Sequence, residues 1–237
     1  MLLPEVVFVG GDTVRSRAYI QALCSNGLMP EAVCIIPARQ MMPGQKQSSL
    51  ELGECAGSWG RFLPEETLEE TCVGHGLAVL MLPNSDINSE EAVQTVSGLP
   101  GKVCIFSGFG GVLLRASILN CGKKFLHIHG GWLPDYKGST TNHYSALAEG
   151  FCGASAIFMS EEIDTGPILM RKQFPLPADL SQLELTADAV FRAEVLCEVM
   201  RYYLKKGHWP SSGMENHKSQ HYYIMHPVLR HVLNLRK

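Results

Sequence analysis

Short apolar runs recur along the chain at 6–9, 32–36, 77–82, 103–106, 125–128, 154–159 and 168–174, separated by stretches with helical spacing. Each run is four to seven residues long, and several are apolar at every position, as in strands covered by helices on both faces. Their alternation with helices predicts an α/β fold around a largely parallel sheet. Helices are expected at 13–25 (stopped by Gly27), 89–96, from 140–141 to Gly150, and 183–206. The last carries an apolar stripe at 189, 190, 193, 196, 200, 203 and 204 and stops at Gly207, the signature of a packing helix with a glycine C-cap. Between Pro37 and Glu70 the pattern loosens into a connection plus a helix without clear limits.

Length and composition narrow the class. The 237 residues allow one large domain, or one domain with an appendage, and 46% apolar with 18% charged residues is enough for a substantial core. Twenty Lys and Arg against 23 Asp and Glu give a net charge of −3, which argues against a globally basic nucleic-acid binder. The longest apolar run, 77–82, is far short of the ~20 residues that span a bilayer. No basic stretch precedes the first apolar run, so the N-terminus reads as a strand, not a signal peptide. Eight cysteines (24, 34, 55, 72, 104, 121, 152 and 197) without a CxxC motif fit a reduced, cytoplasmic protein. From Arg201 onward there are seven Lys or Arg against the single acid Glu215. This basic tail reads as a solvated appendage, or as a contact for a phosphate-bearing substrate or a second subunit.

The most informative stretch is FLHIHGGWLPDYKG at 125–138. If its start is a strand, period 2 puts His127 and His129 on one face at the strand's carboxyl end, where open α/β sheets collect ligands. Such a pair fits acid–base work, metal ligation with a further ligand such as Asp164, or structural hydrogen bonding. A second stretch, SEEIDTGP at 160–167, falls between two expected strands. It reads as a turn, or as the source of a carboxylate that orients a histidine.

Together these stretches resemble the folate-dependent formyltransferases. That family carries Asn-x-His, then Leu-Pro and Gly within a dozen residues, then a late Asp-x-Gly loop. Leu133, Pro134, Gly138, Asp164 and Gly166 fall at matching spacing, and the match is good over 103–176. The resemblance implies a Rossmann-like, mostly parallel twisted sheet flanked by helices. It implies formyl transfer from 10-formyltetrahydrofolate to an amine, and a folate pocket formed by Phe109, Gly111, Val112 and Leu113 with Ser160, Glu161, Glu162 and Ile163. One position departs: the family's Asn is His127 here, while its His and Asp remain as His129 and Asp164. Formyl transfer needs a hydrogen-bond donor to the formyl oxygen and a route for the amine proton. The expected roles are donor for His127, oxyanion stabiliser for His129 and proton movement through water for Asp164. A folate-independent or metal-assisted hydrolase, or a non-catalytic folate binder, is the alternative.

Gly10, Gly11 and Thr13 at the first strand–helix turn are candidate acceptor contacts, since a helix start receives anions. So are Lys137, Thr140 and Asn142 in a hydroxyl- and amide-rich segment that also suits helix capping. The short tail and the net charge argue against a tRNA substrate, which leaves a small-molecule amine, an amino-sugar in nucleotide-linked form, as the favoured acceptor. Neither nucleic acid nor membrane is expected as a partner, and a homodimer is allowed. The expected division is a catalytic part at 1–180 and, at 181–237, a helix with a basic tail packed on it.

Overall fold

The computed structural model describes residues 1–38, 55–216 and 220–235. The chain runs β1 (Val6–Gly11), α1 (Val14–Ser25), β2 (Val33–Ile36), β3 (Cys55–Gly57), β4 (Gly60–Phe62), α2 (Leu68–Gly74) and β5 (Val79–Met81). It continues through α3 (Glu90–Gly98), β6 (Val103–Ser107), α4 (Ala116–Leu119), β7 (Lys124–His129), β8 (Lys137–Gly138), α5 (Thr141–Ala148), β9 (Cys152–Phe158) and β10 (Ile168–Phe174). It ends in α6 (Asp188–Lys206), β11 (His221–Tyr222) and α7 (Pro227–Asn234).

Seven strands form one sheet in the order β10-β9-β7-β6-β1-β2-β5. Neighbours from β7 to β5 are parallel, and β9 runs antiparallel to both β7 and β10. The alternation of side chains splits the core into two layers. Val6, Phe8, Leu126 and Ile128 pack with α1 and α6 on one face. Val7, Val9, Cys104 and Phe125 pack with Ala92 and Val96 of α3 and Ile118 of α4 on the other.

All seven expected strands occur, β10 with the expected bounds and the other six with shifted ones. The run 77–82 shrinks to three paired residues, because β5 is the sheet edge and leaves Leu80 and Met81 exposed. β9 starts two residues early, at Cys152, where Gly153 lets the chain pass close to Trp132: a Cβ would stand 2.9 Å from the Trp132 nitrogen. The loose segment 37–70 carries a β3–β4 hairpin, and its helix begins only at Leu68, behind a Thr67–Glu70 capping box. Residues 39–54 of that segment lie outside the described residues. The helix expected from 183 opens with one π-helical turn, Leu183–Ala187, before α6, and Gly207 closes it at φ 71°.

The C-terminal tail is no solvated appendage. Trp209 stacks on Tyr203 at 4.1 Å, β11 pairs parallel with β8, and Tyr222 stacks on Tyr136 at 5.4 Å. Met225 and Leu233 are buried, and Arg230 pairs with Glu184 at 2.7 Å. The tail cations at 218, 236 and 237 lie outside the described residues. Among the described residues seven cysteines are free thiols, and six of them are buried. Burial pushes these thiols up, Cys104 to about 12, which leaves them inert as nucleophiles. Among the described residues no helix is long and apolar enough to cross a membrane.

Candidate active site

β7 delivers the two histidines as the alternation requires: Leu126 and Ile128 point into the α1/α6 layer, and His127 and His129 share the opposite face with Phe125. The strand must then leave the sheet at once. Gly130 and Gly131 allow this, because a Cβ at Gly130 would stand 2.2 Å from Asp188 Oδ1 and one at Gly131 2.6 Å from His129 Nε2. The Ser155 hydroxyl pins the departing chain, donating to the Gly131 carbonyl at 2.7 Å and accepting from the Leu133 N–H at 3.1 Å.

Loop 159–167 brings Asp164 back to these histidines. Its backbone is left-handed at Asp164 (φ 55°), a conformation that Asp tolerates better than most residues. The Asn216 side chain holds the loop from outside by donating to the Asp164 and Gly166 carbonyls, each at 2.8 Å. Gly166 is obligatory there, since a Cβ would lie 1.7 Å from the Phe158 carbonyl oxygen. In this position Asp164 Oδ2 accepts the Gly138 N–H at 3.1 Å and faces His129 Nδ1 at 3.3 Å.

His129 is only 4% exposed, and its Nε2 lies 2.8 Å from the Tyr136 carbonyl. A carbonyl can only accept, so Nε2 carries a proton and Nδ1 is the atom turned to Asp164. Both ring nitrogens are therefore committed. With both committed, His129 presents no free ring N–H for the direct oxyanion donation expected of it. Burial works against charge on Asp164, but His129, His127 and the Gly138 N–H outweigh it and hold the carboxyl below its usual range. Burial, reinforced by Arg15, holds His127 well below the ordinary histidine range, so its imidazole is neutral. Its Nδ1 is buried without a hydrogen-bond partner. His127, His129 and Asp164 each offer a ligand atom within 4.8 Å of the others.

Two cavities meet at this cluster. One is mainly apolar and is lined by Phe106, Leu114, Ile157 and Met159. It also brings together all eight residues singled out in the sequence for a folate ring: Phe109, Gly111, Val112 and Leu113 from one wall, Ser160, Glu161, Glu162 and Ile163 from the other. The second cavity is polar and is lined by Ser139, Thr140, Thr141, Asn142, Glu184, Asp188 and Arg192. His127, Asp164 and Arg15 line both.

The six candidate acceptor contacts are scattered by the fold. Gly10 and Gly11 line neither cavity, and their lack of a side chain admits Ser107 and the Phe109 ring: a Cβ would stand 2.7 Å from the Ser107 carbonyl oxygen and 2.5 Å from that ring. Thr13 caps α1 by accepting the Ser16 N–H, and it borders an adjoining recess beside Arg15 and Glu184. Lys137 is buried in β8 and lines neither cavity. Thr140 and Asn142 do line the polar cavity, with their polar atoms engaged internally. Thr140 Oγ1 accepts the Met225 N–H at 2.8 Å, and Asn142 bridges Asp188 and the Gly153 N–H, each at 2.7 Å. The capping expected of Thr140 is thereby replaced by an anchor for the tail.

Several cavity residues escaped the sequence reading. Arg15 lies within α1 and gives its Nε–H to Ser107 Oγ at 3.0 Å and an Nη2–H to the Gly108 carbonyl. It makes no ion pair among the described residues. Arg192 comes from α6 and is neutralised by Asp188 at 2.6 Å. Glu184 and Ile224 also line the polar cavity, and Asn216 braces the Asp164 loop. No local motif marks any of them.

The formyl transferase family model matches residues 5–196. A methionyl-tRNA formyltransferase of Ruminiclostridium cellulolyticum is 27% identical over 150 residues, covering 62% of this chain and 47% of that protein. The chain spans about half the length of the curated relatives it matches. Among solved structures, a glycinamide ribonucleotide transformylase from Symbiobacterium toebii shares the fold at a TM-score of 0.59 and 16% identity, covering 85% of this chain and 88% of that one. An N-formyltransferase from Helicobacter canadensis, in complex with folinic acid and dTDP-3-aminofucose, does so at 0.53 and 15% identity over 92% of this chain and 71% of that one. With a seven-stranded Rossmann-like sheet, a match over most of its length, and the histidines and Asp164 converging at the carboxyl end of β7, the chain belongs to the formyl transferase family.

Proposed function

We propose that the chain is an N-formyltransferase that moves a formyl group from 10-formyltetrahydrofolate to the amine of a nucleotide-linked amino-sugar. The observation that carries this reading is the junction of an apolar and a polar cavity at His127 and Asp164. A flat heterocycle fits between the Phe109–Leu113 and Ser160–Ile163 walls, whose exposed backbone groups can pair with its edge. Bound there, 10-formyltetrahydrofolate supplies the formyl group at the junction. His127, whose imidazole is neutral, gives its ring N–H to the formyl oxygen as negative charge develops on it. As the amine nitrogen bonds to the formyl carbon and the bond from that carbon to the folate nitrogen breaks, the amine proton passes through the His129–Asp164 pair and a water to the departing folate nitrogen. A positioned proton carrier of this kind contributes roughly 10²–10⁴ in rate.

For the acceptor, Arg15 offers an unpaired guanidinium to the polar cavity, which suits a phosphate-bearing amine. The Helicobacter neighbour, bound to a nucleotide-linked amino-sugar, supports the same choice. On this reading residues 1–180 hold the donor and the reacting groups, and 181–237 complete the acceptor wall through Glu184, Asp188 and Arg192. The test is incubation with 10-formyltetrahydrofolate and, in separate arms, amino-sugar nucleotides, glycinamide ribonucleotide and methionyl-tRNA. Formyl product is expected in the first arm. Product in another arm overturns the acceptor, and no product with no folate binding overturns the whole reading.

A further inference from the structure

The His127–His129–Asp164 cluster also has the construction of a metal site. Because Nε2–H of His129 is committed to the Tyr136 carbonyl, a neutral His129 presents the Nδ1 lone pair to the Asp164 carboxylate at 3.3 Å. Two lone pairs at that distance repel unless a cation lies between them, and the candidates are a proton and a metal ion. The same backbone hydrogen bond is the outer-shell support that fixes tautomer and ring orientation in metal-bound histidines. Asp164 has matching support from the Gly138 N–H at 3.1 Å.

The third donor is what sets this chain apart. An asparagine at 127 would offer only an amide, whereas His127 offers an imidazole with a buried Nδ1 that has no partner in the protein. Leaving such an atom unsatisfied is costly, and coordination removes that cost. Donors around a zinc-class ion at roughly 2.0–2.1 Å stand roughly 3.3 Å from one another. The His129–Asp164 separation already meets this, and one ligand atom from each of the three residues lies within 4.8 Å of the others.

We propose that His127, His129 and Asp164 form a site for one divalent ion of the zinc class, which takes the place of the proton between His129 and Asp164. Two nitrogens and one carboxylate select a borderline ion over Mg²⁺ or Ca²⁺, which prefer all-oxygen shells. Arg15 opposes a cation there, and Arg192 does so less because Asp188 neutralises it. The affinity is therefore below that of a closed four-ligand structural site, and the remaining coordination positions open to the two cavities. The inference does not depend on the reaction catalysed, because it is read by binding alone.

The experiment titrates EDTA-treated, folate-free protein with Zn²⁺ by calorimetry and with Co²⁺ by visible absorption. One ion per chain is expected, with Co²⁺ d–d bands of low symmetry. His127→Asn is expected to weaken binding by about 100-fold while circular dichroism stays unchanged, and Asp164→Asn provides a second variant if the first misfolds. Mg²⁺ is expected not to compete. No saturable binding at one ion per chain, or unchanged binding in the folded variant, overturns the site.

Discussion

Nδ1 of His129 and Oδ2 of Asp164 face each other at 3.3 Å across the gap between a strand end and a returning loop, 35 positions apart in the chain. Neither residue holds this geometry unaided. Tyr136 fixes the ring, Gly138 the carboxylate, and Asn216 the loop backbone. The pair is the point where the α/β scaffold, β8 and the C-terminal tail converge.

Removing the carboxylate leaves the amine proton without an acceptor. Asp164→Ala is expected to lower kcat/KM for formyl transfer by about 10²–10⁴ while folate binding persists. Rapid-quench measurement of formyl product alongside a folate titration checks this. Wild-type turnover in the variant would remove Asp164 from the mechanism.

Asn216 touches only the backbone of the Asp164 loop, so it acts through position. Asn216→Ala is expected to reduce kcat by about 10-fold with little change in acceptor KM, since small misplacements of reacting groups are costly. A change confined to KM would instead assign Asn216 to acceptor binding.

Arg15 presents charge to the polar cavity, and among the described residues it has no carboxylate partner. Arg15→Met is expected to raise acceptor KM by about 10–100-fold, the loss of a charge-assisted hydrogen bond of about 1.5–3 kcal/mol. Thermal denaturation separates this from the loss of its contacts to Ser107 and Gly108. If KM stays constant, the anionic group lies elsewhere.

His143 is buried in α5, and burial holds its imidazole below the ordinary histidine value of about 6.5, with Glu184 opposing and Arg230 adding to the effect. Between the folded pKa and 6.5 the unfolded chain binds the extra proton, so stability is complete above 6.5 and falls as pH drops through that window. The slope contributed by one proton is at most about 1.4 kcal/mol per pH unit. Melting temperatures from pH 7.5 to 5 are expected to decline in the wild type and to decline less in His143→Gln. Parallel curves would show that His143 is not the group responsible.

Strand positions and the shared face of His127 and His129 were legible in the sequence because both follow from local rules. A short apolar run between turn residues has few alternatives to a buried strand, and period 2 then dictates which side chains share a face. The eight residues that the family resemblance named fall together in one cavity because they are contiguous in two segments. The polar cavity was not legible. Its arginines sit on helices whose pattern shows only that they are polar, and what they face depends on how α1 and α6 pack on the sheet. Thr140 and Asn142 show the same limit, since their chemistry predicts capping or ligand contact and only the docked tail and Asp188 decide which partners they take. The sequence by itself determined the layered α/β architecture and the donors at the end of β7. Tertiary structure alone decided the tautomer of His129, the reach of Asp164 and the acceptor wall, because each depends on a contact between segments far apart in the chain.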